Sequence, residues 1–522
     1  MTGLAEFRIT TLKSQFRGIS NLITIDRRVS KPLYQQIYDS FRSRIIRGEL
    51  RAGDLVPSSR ELARESRISR LPVLTAYSQL LAEGYFESRV GAGTFIAGSL
   101  PSRTNAQTAK YAPSVSREKR RISARAAALP PYERPSWAES LGPFQVGQPD
   151  LHKFPIEIWL KLVARYSRRM RVKALQYGDA MGLPHLREAI ATYVRTSRGV
   201  RCEAEQIMIV SGAQQALDLA TRVLLDAGAA AWVEEPGYWL VHRALQSAGC
   251  RAVPVPVDSN GLMVAAGIKL NRKARAAFVT PSHQYPLGVT MSATRRLELL
   301  DWAQRAGAWI IEDDYDSEYR FDGMPIASLQ GLDRNARVIY IGTFSKIMFP
   351  SLRLGYIIIP PDLVERFAAM RQVLDLCPPH LTQAVMADFI REGHFARHIR
   401  RMRPIYAERR RVLVGELERE LGDQLEIVGD EAGMHLATFL ASNRNDREIA
   451  AKAAQQSLCL SALSSLYLGS ASRRGFVLGF GNTKAKDIPQ AVRHLRRLVE
   501  TNNTQGIRMK QHCVINNEIR DF

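Results

Sequence analysis

Tyr340-Ile341-Gly342-Thr343-Phe344-Ser345-Lys346, followed by Pro350-Ser351-Leu352-Arg353-Leu354-Gly355-Tyr356, decides the reading of this chain. The apolar run predicts a strand, and a lysine comes directly after it. A lysine beside a serine, seven residues ahead of an arginine, is unlike a charge run on a solvated face. Lys346 has the chemistry to form a Schiff base with an aldehyde. Ser345 and Arg353 have the chemistry to hold a phosphate, the arginine with a two-pronged fork.

Three upstream motifs bear on the same question. Ile207–Val210 is an apolar strand pattern that meets Ser211-Gly212-Ala213-Gln214-Gln215, a small-residue turn opening a helix. Amides at such a helix start can hold a phosphate, and the same turn also occurs for packing alone. Glu234-Glu235-Pro236-Gly237-Tyr238 puts an aromatic ring at a strand end, either to stack on a planar group or to be buried in the turn. Trp309-Ile310-Ile311-Glu312-Asp313-Asp314-Tyr315-Asp316 delivers carboxylates and a phenol from an apolar strand. Clustered aspartates suit a divalent metal, though the calcium-loop spacing is absent; alternatively one aspartate pairs with a cationic cofactor nitrogen. All four motifs together fit pyridoxal 5′-phosphate, which needs a lysine for its aldehyde, a carboxylate for its pyridinium nitrogen, a phosphate cradle and an aromatic partner.

Around these motifs, residues 138–500 alternate β-rich runs with amphipathic helices, the pattern of an α/β domain. The chain has 522 residues, enough for two to four domains. Its 45% hydrophobic and 24% charged fractions exclude general disorder and collagen-like structure. A net charge of +22 suits a polyanion, either nucleic acid or an anionic membrane surface. Cys202, Cys250, Cys377, Cys459 and Cys513 lie far apart with no C-x-x-C pair, which argues against a disulfide framework or structural zinc and fits a reducing cytosol. No apolar run is long enough to span a bilayer, and no secretory leader pattern opens the chain.

Residues 31–97 read as helix, helix-turn-helix and β-hairpin, a winged helix. Pro32 opens a helix with Leu33, Ile37, Phe41, Ile45 and Ile46 on one face. Pro57-Ser58-Ser59 caps a short helix over Arg60 to Glu65, and Ser69 caps the next, with Pro72 in its first turn. That helix turns Val73, Tyr77, Leu80 and Leu81 inward. Tyr85–Ser88 and Thr94–Ile96 flank the tip Val90-Gly91-Ala92-Gly93. The second helix of such a pair enters the major groove, which puts Arg70 at base edges. Ser58, Ser59 and Arg60 suit phosphate oxygens at a helix start, and Gly91 and Gly93 let the backbone approach DNA. The competing reading is a three-helix protein-interaction module with solvated arginines. Residues 98–137 form a basic, proline-interrupted linker with eight Lys/Arg and two Asp/Glu. Residues 501–522 form a polar tail.

The runs Pro32-Leu33-Tyr34-Gln35-Gln36-Ile37, Pro57-Ser58-Ser59-Arg60-Glu61-Leu62-Ala63 and Gly91-Ala92-Gly93-Thr94-Phe95 resemble the GntR-type winged helix, with Leu71-Pro72 replacing the usual polar pair. The large domain resembles the fold-type I aminotransferases, including Gly178, Gly182 and Leu186-Arg187 after Tyr177. This predicts a multidomain chain: an α+β winged helix-turn-helix, then an α/β fold-type I PLP-dependent aminotransferase-like domain. The resemblance implies Lys346 as the cofactor's Schiff-base lysine and Asp313, rather than Asp314, as partner of the pyridine nitrogen. It implies Tyr315 on the phenolic oxygen and Tyr238 stacked on the ring. It implies Ala213, Gln214, Ser345 and Arg353 on the phosphate, with Tyr177 reaching the neighbouring subunit's phosphate. As a whole the chain resembles the MocR/GabR-type transcriptional regulators, which the run Gly393–Arg403 also matches. His394 and His398 lack a third ligand, so no metal site is expected; a solvated or subunit-bridging basic helix is the reading there.

Three departures concern the ligand. Val477 stands where an aminotransferase places its carboxylate-binding arginine, leaving Arg473 and Arg474 as substitutes. Trp239-Leu240 supplies no arginine either. Pro281-Ser282-His283-Gln284-Tyr285-Pro286-Leu287-Gly288 replaces an Asn-Pro-x-Gly pattern, and Gln284 is the candidate for the asparagine's role. The expected function is a cytosolic, homodimeric regulator that binds a double-stranded operator. It senses PLP, or an amine or amino acid, through an external aldimine. The alternative is an active aminotransferase, or one with a residual half-reaction, carrying a DNA-binding domain.

Overall fold

The computed structural model describes residues 23, 25–98, 121–131, 142–170, 172–321, 326–429, 431–442 and 444–501. The chain divides into two compact units, 1–121 and 122–522. The tail beyond 501, Cys513 and most of the expected linker lie outside the described residues.

The first unit is a winged helix. Its elements are α1 (Leu33–Ile46), β1 (Leu55–Val56), α2 (Ser59–Glu65), α3 (Arg70–Ala82), β2 (Phe86–Arg89) and β3 (Gly93–Ile96). The strands form an antiparallel sheet in the order β1-β3-β2. Ser58 Oγ accepts from the Glu61 amide at 3.2 Å, which caps α2. Ser69 occupies the cap position of α3 without a side-chain cap bond. Phe41, Tyr77 and Phe86 meet edge to face, with centroids 5.2 to 5.8 Å apart, at the middle of the core. Two apolar expectations need correction. The inward face of α3 is Val73, Ala76, Tyr77 and Leu80. That i, i+3, i+4, i+7 stripe is complete, so Leu81, one step further round the helix, is exposed. Ile46 at the end of α1 is exposed for the same reason.

The second unit opens with α4 (Ala124–Ala128), which lies inside the expected linker and is capped by Ser123. Next come α5 (Ile156–Arg169), α6 (Pro184–Arg198), β4 (Ile207–Val210), α7 (Ala213–Leu224), β5 (Ala230–Glu235), α8 (Trp239–Ala248), β6 (Arg251–Asp258), β7 (Gly261–Leu262), α9 (Val264–Asn271), β8 (Ala276–Val279), α10 (Ala293–Ala306) and β9 (Trp309–Asp314). They are followed by α11 (Leu329–Leu332), β10 (Val338–Thr343), β11 (Gly355–Ile358), α12 (Val364–Asp375), α13 (His380–Arg391), α14 (His394–Leu421), β12 (Leu425–Val428), β13 (His435–Leu440), α15 (Asp446–Gln455), β14 (Ser461–Ala462) and β15 (Gly475–Gly479). Eight strands pair in the order β4-β11-β10-β9-β8-β5-β6-β7. The run β10-β9-β8-β5-β6 is parallel, whereas β11 and β7 are antiparallel to their neighbours. A separate antiparallel sheet runs β12-β13-β15-β14.

Strand alternation explains why the large sheet needs helices on both faces. Val233, Phe278, Ile311 and Ile339 enter one core; Trp232, Ala277, Ile310 and Val338, each one residue earlier, enter the other. Trp232 stacks on Trp302 with centroids 3.8 Å apart. A Cβ on Gly267 would lie 2.9 Å from the Trp232 ring, so α9 approaches this closely only with glycine there. Parallel strands bring their carboxyl ends to one edge: Ile341 and Gly342 of β10 pair with Asp313 and Asp314 of β9.

Beneath that edge lies a buried ion pair. Arg198 Nε meets Asp314 Oδ2 at 2.8 Å, Arg198 Nη2 donates to Ser282 Oγ at 2.7 Å, and the Tyr340 hydroxyl donates to Asp314 Oδ2 at 2.6 Å. Removing one partner of such a pair strands the other charge in the interior. Arg198→Met is expected to lower unfolding free energy by about 3–5 kcal/mol. Denaturant titration checks this; a loss within ±0.5 kcal/mol, the range of ordinary surface substitutions, would show that the pair is not a keystone.

Candidate functional site

Strands β4, β5, β9 and β10 end at the same edge and hand over four short segments. Asp313 points to the side of the sheet that also receives Tyr238, while Asp314 turns to Arg198 on the other. Asp313 is buried, and its Oδ1 has no hydrogen-bond partner among the described residues. Burial, then the charge of Asp314, push its pKa up to about 7, although Lys346 draws it down. A small cavity behind it is lined by Glu234, Tyr238, His242 and Thr280. Glu234 accepts from Thr280 Oγ1 at 2.6 Å and the Thr280 amide at 3.2 Å, yet burial still raises it to about 7. His242 is lowered to about 4 by burial and by Arg243.

Lys346 follows β10 and is half-buried. Its Nζ donates to the Gly147 carbonyl at 3.2 Å. Burial lowers its pKa, against the pull of Asp316 and Asp313, and so favours the neutral, nucleophilic amine. A Cβ on Gly147 would stand 2.5 Å from Nζ, so the end of the lysine would have to shift, and the backbone there takes φ 69°, which favours glycine. Ser345 Oγ is buried without a partner. Arg353 takes a left-handed backbone, φ 47°, unusual for a non-glycine residue. Its guanidinium lies 3.4 Å from the point where Gly212 would carry a Cβ, at the N-terminus of α7. Ala213 and Gln214 are the first residues of α7, and an open cleft beside them is lined by Ser211, Gln214, Arg353 and Leu129.

These observations test the fit of pyridoxal 5′-phosphate. An unpartnered carboxylate asks for a cation; an unpartnered hydroxyl, an arginine and a helix start ask for an anion. A half-buried amine lies between the two. The donor set fits the group.

The structure places the other expected residues less simply. Tyr238 is half-buried and meets Tyr285 edge on at 5.7 Å. The Tyr315 hydroxyl donates to the His283 carbonyl at 3.0 Å and lies 3.2 Å from His283 Nδ1. Tyr177 is 85% exposed. In the winged helix, Ser58 Oγ is engaged as a cap, and Arg70 Nε donates to Ser59 Oγ at 3.1 Å, tying the start of α3 to α2. Arg60 is exposed, and Gly91 and Gly93 sit at the wing tip with φ 75° and 110°.

Gln284, the candidate for the asparagine's role, is engaged within the chain. Its amide nitrogen contacts Glu234, the Pro236 carbonyl and the Tyr285 carbonyl, and its oxygen accepts from the Leu287 amide. The pattern was displaced by one residue: Pro286-Leu287-Gly288 completes Asn-Pro-x-Gly with Tyr285 in first place. The Tyr285 ring lies 6.3 Å from Tyr315 and 5.6 Å from His435. Arg473 does not reach this edge freely, being paired with Glu426 and lying 3.9 Å over the Phe439 ring. Arg474 Nη1 donates to the Arg444 carbonyl. His394 and His398 do not converge. His398 contacts the Ile347 carbonyl at 3.1 Å and His394 contacts Glu392 at 3.1 Å.

A buried group went unnoticed in the sequence. His283 Nδ1 meets Asp316 at 3.1 Å, and the His283 ring lies 4.6 Å from His435. His283, Asp316 and His435 hold ligand-type atoms within 4.8 Å of one another. Since Asp316 already engages His283 Nδ1, which also faces Tyr315, the arrangement works as a hydrogen-bonded support for the Tyr315 phenol.

Comparison with known proteins follows the same division. The aminotransferase class I and II family matches residues 143–494, and the bacterial regulatory proteins of the gntR family match residues 33–96. The chain is 40% identical over 478 residues to the probable rhizopine catabolism regulatory protein MocR of Rhizobium meliloti, covering 91% of this chain and 95% of that one. It is 34% identical to the HTH-type pyridoxine biosynthesis transcriptional regulator PdxR of Corynebacterium glutamicum, covering 86% and 91%. Among solved structures, Pyrococcus horikoshii kynurenine aminotransferase in complex with PMP matches with a TM-score of 0.67 and 26% identity, covering 73% of this chain and 97% of that one.

The raised carboxyls carry a pH consequence. Asp313, Glu234 and Glu312 are each raised to about 7 in the folded chain, first by burial. The folded state therefore holds protons that the unfolded chain releases near pH 4. Their contribution to stability is present below about pH 4 and is lost as pH rises through about 7. The Tm of the cofactor-free chain should fall between pH 5.5 and 8, and Asp313→Asn should flatten part of that fall. A thermal melt series checks this; an unchanged pH profile in the variant would count against a strained Asp313.

Proposed function

Since the chain belongs to the HTH-type transcriptional regulators that join a gntR-family segment to an aminotransferase class I and II domain, we propose that it holds pyridoxal 5′-phosphate at Lys346 and reports that cofactor, or an amine or amino acid, to operator DNA. That it regulates transcription is the shared character of the relatives spanning most of its length. The observation that carries the cofactor assignment is half-buried Lys346 beside Asp313 Oδ1 and Ser345 Oγ, which have no partner among the described residues, at one sheet edge.

When bound, the group supplies an electrophilic carbon at which one primary amine can replace another. The chain's residues do the rest. Asp313 holds a proton on the pyridine nitrogen, and its preference for a cation is the source of that grip. Ser345, Arg353 and the amides of Ala213 and Gln214 hold the phosphate. Tyr238 would cover the ring, and Tyr315, steadied by His283, would meet the phenolic oxygen. Lys346 supplies the resident amine, and burial keeps it ready to bind when an incoming amine leaves. A ligand shifts a regulator only through different affinity for two arrangements. Helix α8 starts directly after Tyr238, and Gln246 near its far end donates to the Ala128 carbonyl at 2.8 Å. The cofactor's aromatic cover and the segment leading back to the winged helix thus share one helix.

A homodimer belongs to this reading. Val172, Leu175, Tyr177, Val373 and Leu376 are exposed, and Gly178 N lies 3.3 Å from Cys377 Sγ, which joins both stretches into one apolar surface. Tyr177 on that surface would serve the phosphate of the partner subunit. Arg70 would read bases, while Ser58, Ser59, Arg60 and the glycines of the wing would follow the DNA backbone. Cytosolic residence accompanies DNA binding; no described helix is long and apolar enough to cross a membrane. The alternative, a working aminotransferase, is not favoured, because the relatives that span about nine-tenths of the chain are named as regulators.

Purified protein with PLP should show a visible absorbance band that borohydride bleaches, leaving the group on the Lys346 peptide. Lys346→Ala should show neither band nor label. A protein that takes up no PLP would reduce the large unit to a scaffold. In the winged helix, Arg70→Ala should cost about 1–3 kcal/mol of discrimination between sequences, whereas Arg60→Ala should weaken binding to all DNA alike. Equal loss of sequence preference in both variants would overturn that division of roles.

A further inference from the structure

The basic character of this chain is not concentrated in its winged helix. Residues 31–97 carry ten Lys/Arg against seven Asp/Glu. The eighteen residues His394–Arg411, which begin α14, carry seven arginines and one glutamate. Arg397, Arg400, Arg401, Arg403 and Arg411 are exposed, while Phe395, Ile399, Met402 and Tyr406 of the same helix are buried. The helix therefore turns an apolar face inward and an arginine face to solvent.

These arginines are not neutralised. Some exposed arginines of the unit do face carboxylates: Arg165 meets Glu392, Arg222 meets Asp218, Arg305 meets Asp301, Arg496 meets Glu500. On α14 three of the five exposed arginines are steadied by backbone oxygens. Arg397 donates to the Glu392 carbonyl at 2.8 Å, Arg403 to the Glu318 carbonyl at 3.0 Å, and Arg401 to the Lys153 carbonyl. A carbonyl orients a guanidinium without cancelling its charge. Arg401 also draws exposed Lys153 onto the same surface. Among the described residues, no carboxylate pairs with Arg397, Arg400, Arg401, Arg403 or Arg411. Fourteen residues separate Arg397 from Arg411, about 21 Å of helix, over which one DNA strand offers about six phosphates.

We infer that the solvent face of α14 is a second DNA-binding surface, on the aminotransferase-like unit, that takes the sugar-phosphate backbone without reading sequence. This rests on the regulator reading, since the polyanion it meets is the DNA that the winged helix engages. Un-neutralised arginines along one helix face match a linear array of phosphates; the aromatic side chains of α14, Phe395 and Tyr406, are buried and so not available for insertion into a lipid surface.

The test uses the full-length protein and a 60-base-pair duplex of arbitrary sequence, with affinity measured by fluorescence anisotropy across a salt series. Arg400→Gln/Arg411→Gln changes two exposed side chains that make no hydrogen bond within the described residues. Each lost phosphate contact should reduce the slope of log K against log salt by about 0.9, so the pair should flatten it by about 1.8 and weaken binding about tenfold or more near 0.1 M salt. Arg222→Gln/Arg305→Gln, which removes ion-paired arginines, should change neither. A wild-type slope in the α14 variant would overturn the inference. So would a variant that sediments as a smaller species, which would make this face a contact between subunits, or one that loses binding to anionic vesicles and not to DNA. Arg60→Ala reads the winged helix separately. An effect there without one on α14 overturns only this inference, whereas a wild type that binds DNA with no salt dependence overturns the regulator reading itself.

Discussion

Two adjacent carboxylates at the end of β9 are sent to opposite faces, and the site depends on their different fates. Asp314 is met by a guanidinium and a phenol in the interior. Asp313 is met by nothing that completes it. Were both compensated, the edge would be an inert ion-pair network; were neither, two buried charges side by side would not both survive ionised. The Arg198–Asp314 pair neutralises one carboxylate within the chain through its Oδ2 and leaves the other open to an external cation.

The same division recurs around the site. Several groups have partners within the chain: Thr280 and Gln284 on Glu234, Asp316 on His283, the Gly147 carbonyl on Lys346, although Glu234 Oε1 and His283 Nε2 have none among the described residues. Groups expected to hold the cofactor, Asp313 and Ser345, are short of partners. Buried polar atoms without partners are costly, so they persist where a bound group completes them. The parallel sheet gathers them because its strands end together at one edge, where ligands of such folds sit.

How much of this was legible depended on distance along the chain. Ser345 and Lys346 follow a strand directly, and Asp313 sits one residue from its rival, so local alternation and sequence neighbours were enough to nominate them. Arg198 is 116 residues from Asp314, and His283 is 33 from Asp316, so the contacts that assign their roles exist only after folding. Gly147 is 199 residues from Lys346, so its contact with the lysine exists only after folding. The commitment of Gln284 to Glu234 and to the Pro236 carbonyl spans 48 to 50 residues, and likewise exists only after folding. Leu81 was misplaced by one step round a helix whose inner stripe was already full.

The short helix α8 also sets a mechanical ratio. Gln246 lies eight residues beyond Tyr238, about 12 Å along the axis. A tilt of about 10° at the Tyr238 end therefore carries Gln246 sideways by about 2 Å, for a rigid rod of that length. Its bond to the Ala128 carbonyl is 2.8 Å long and has little tolerance for such a displacement. A helix this short thus has the leverage to turn a small readjustment against a flat ring into the making or breaking of an anchor.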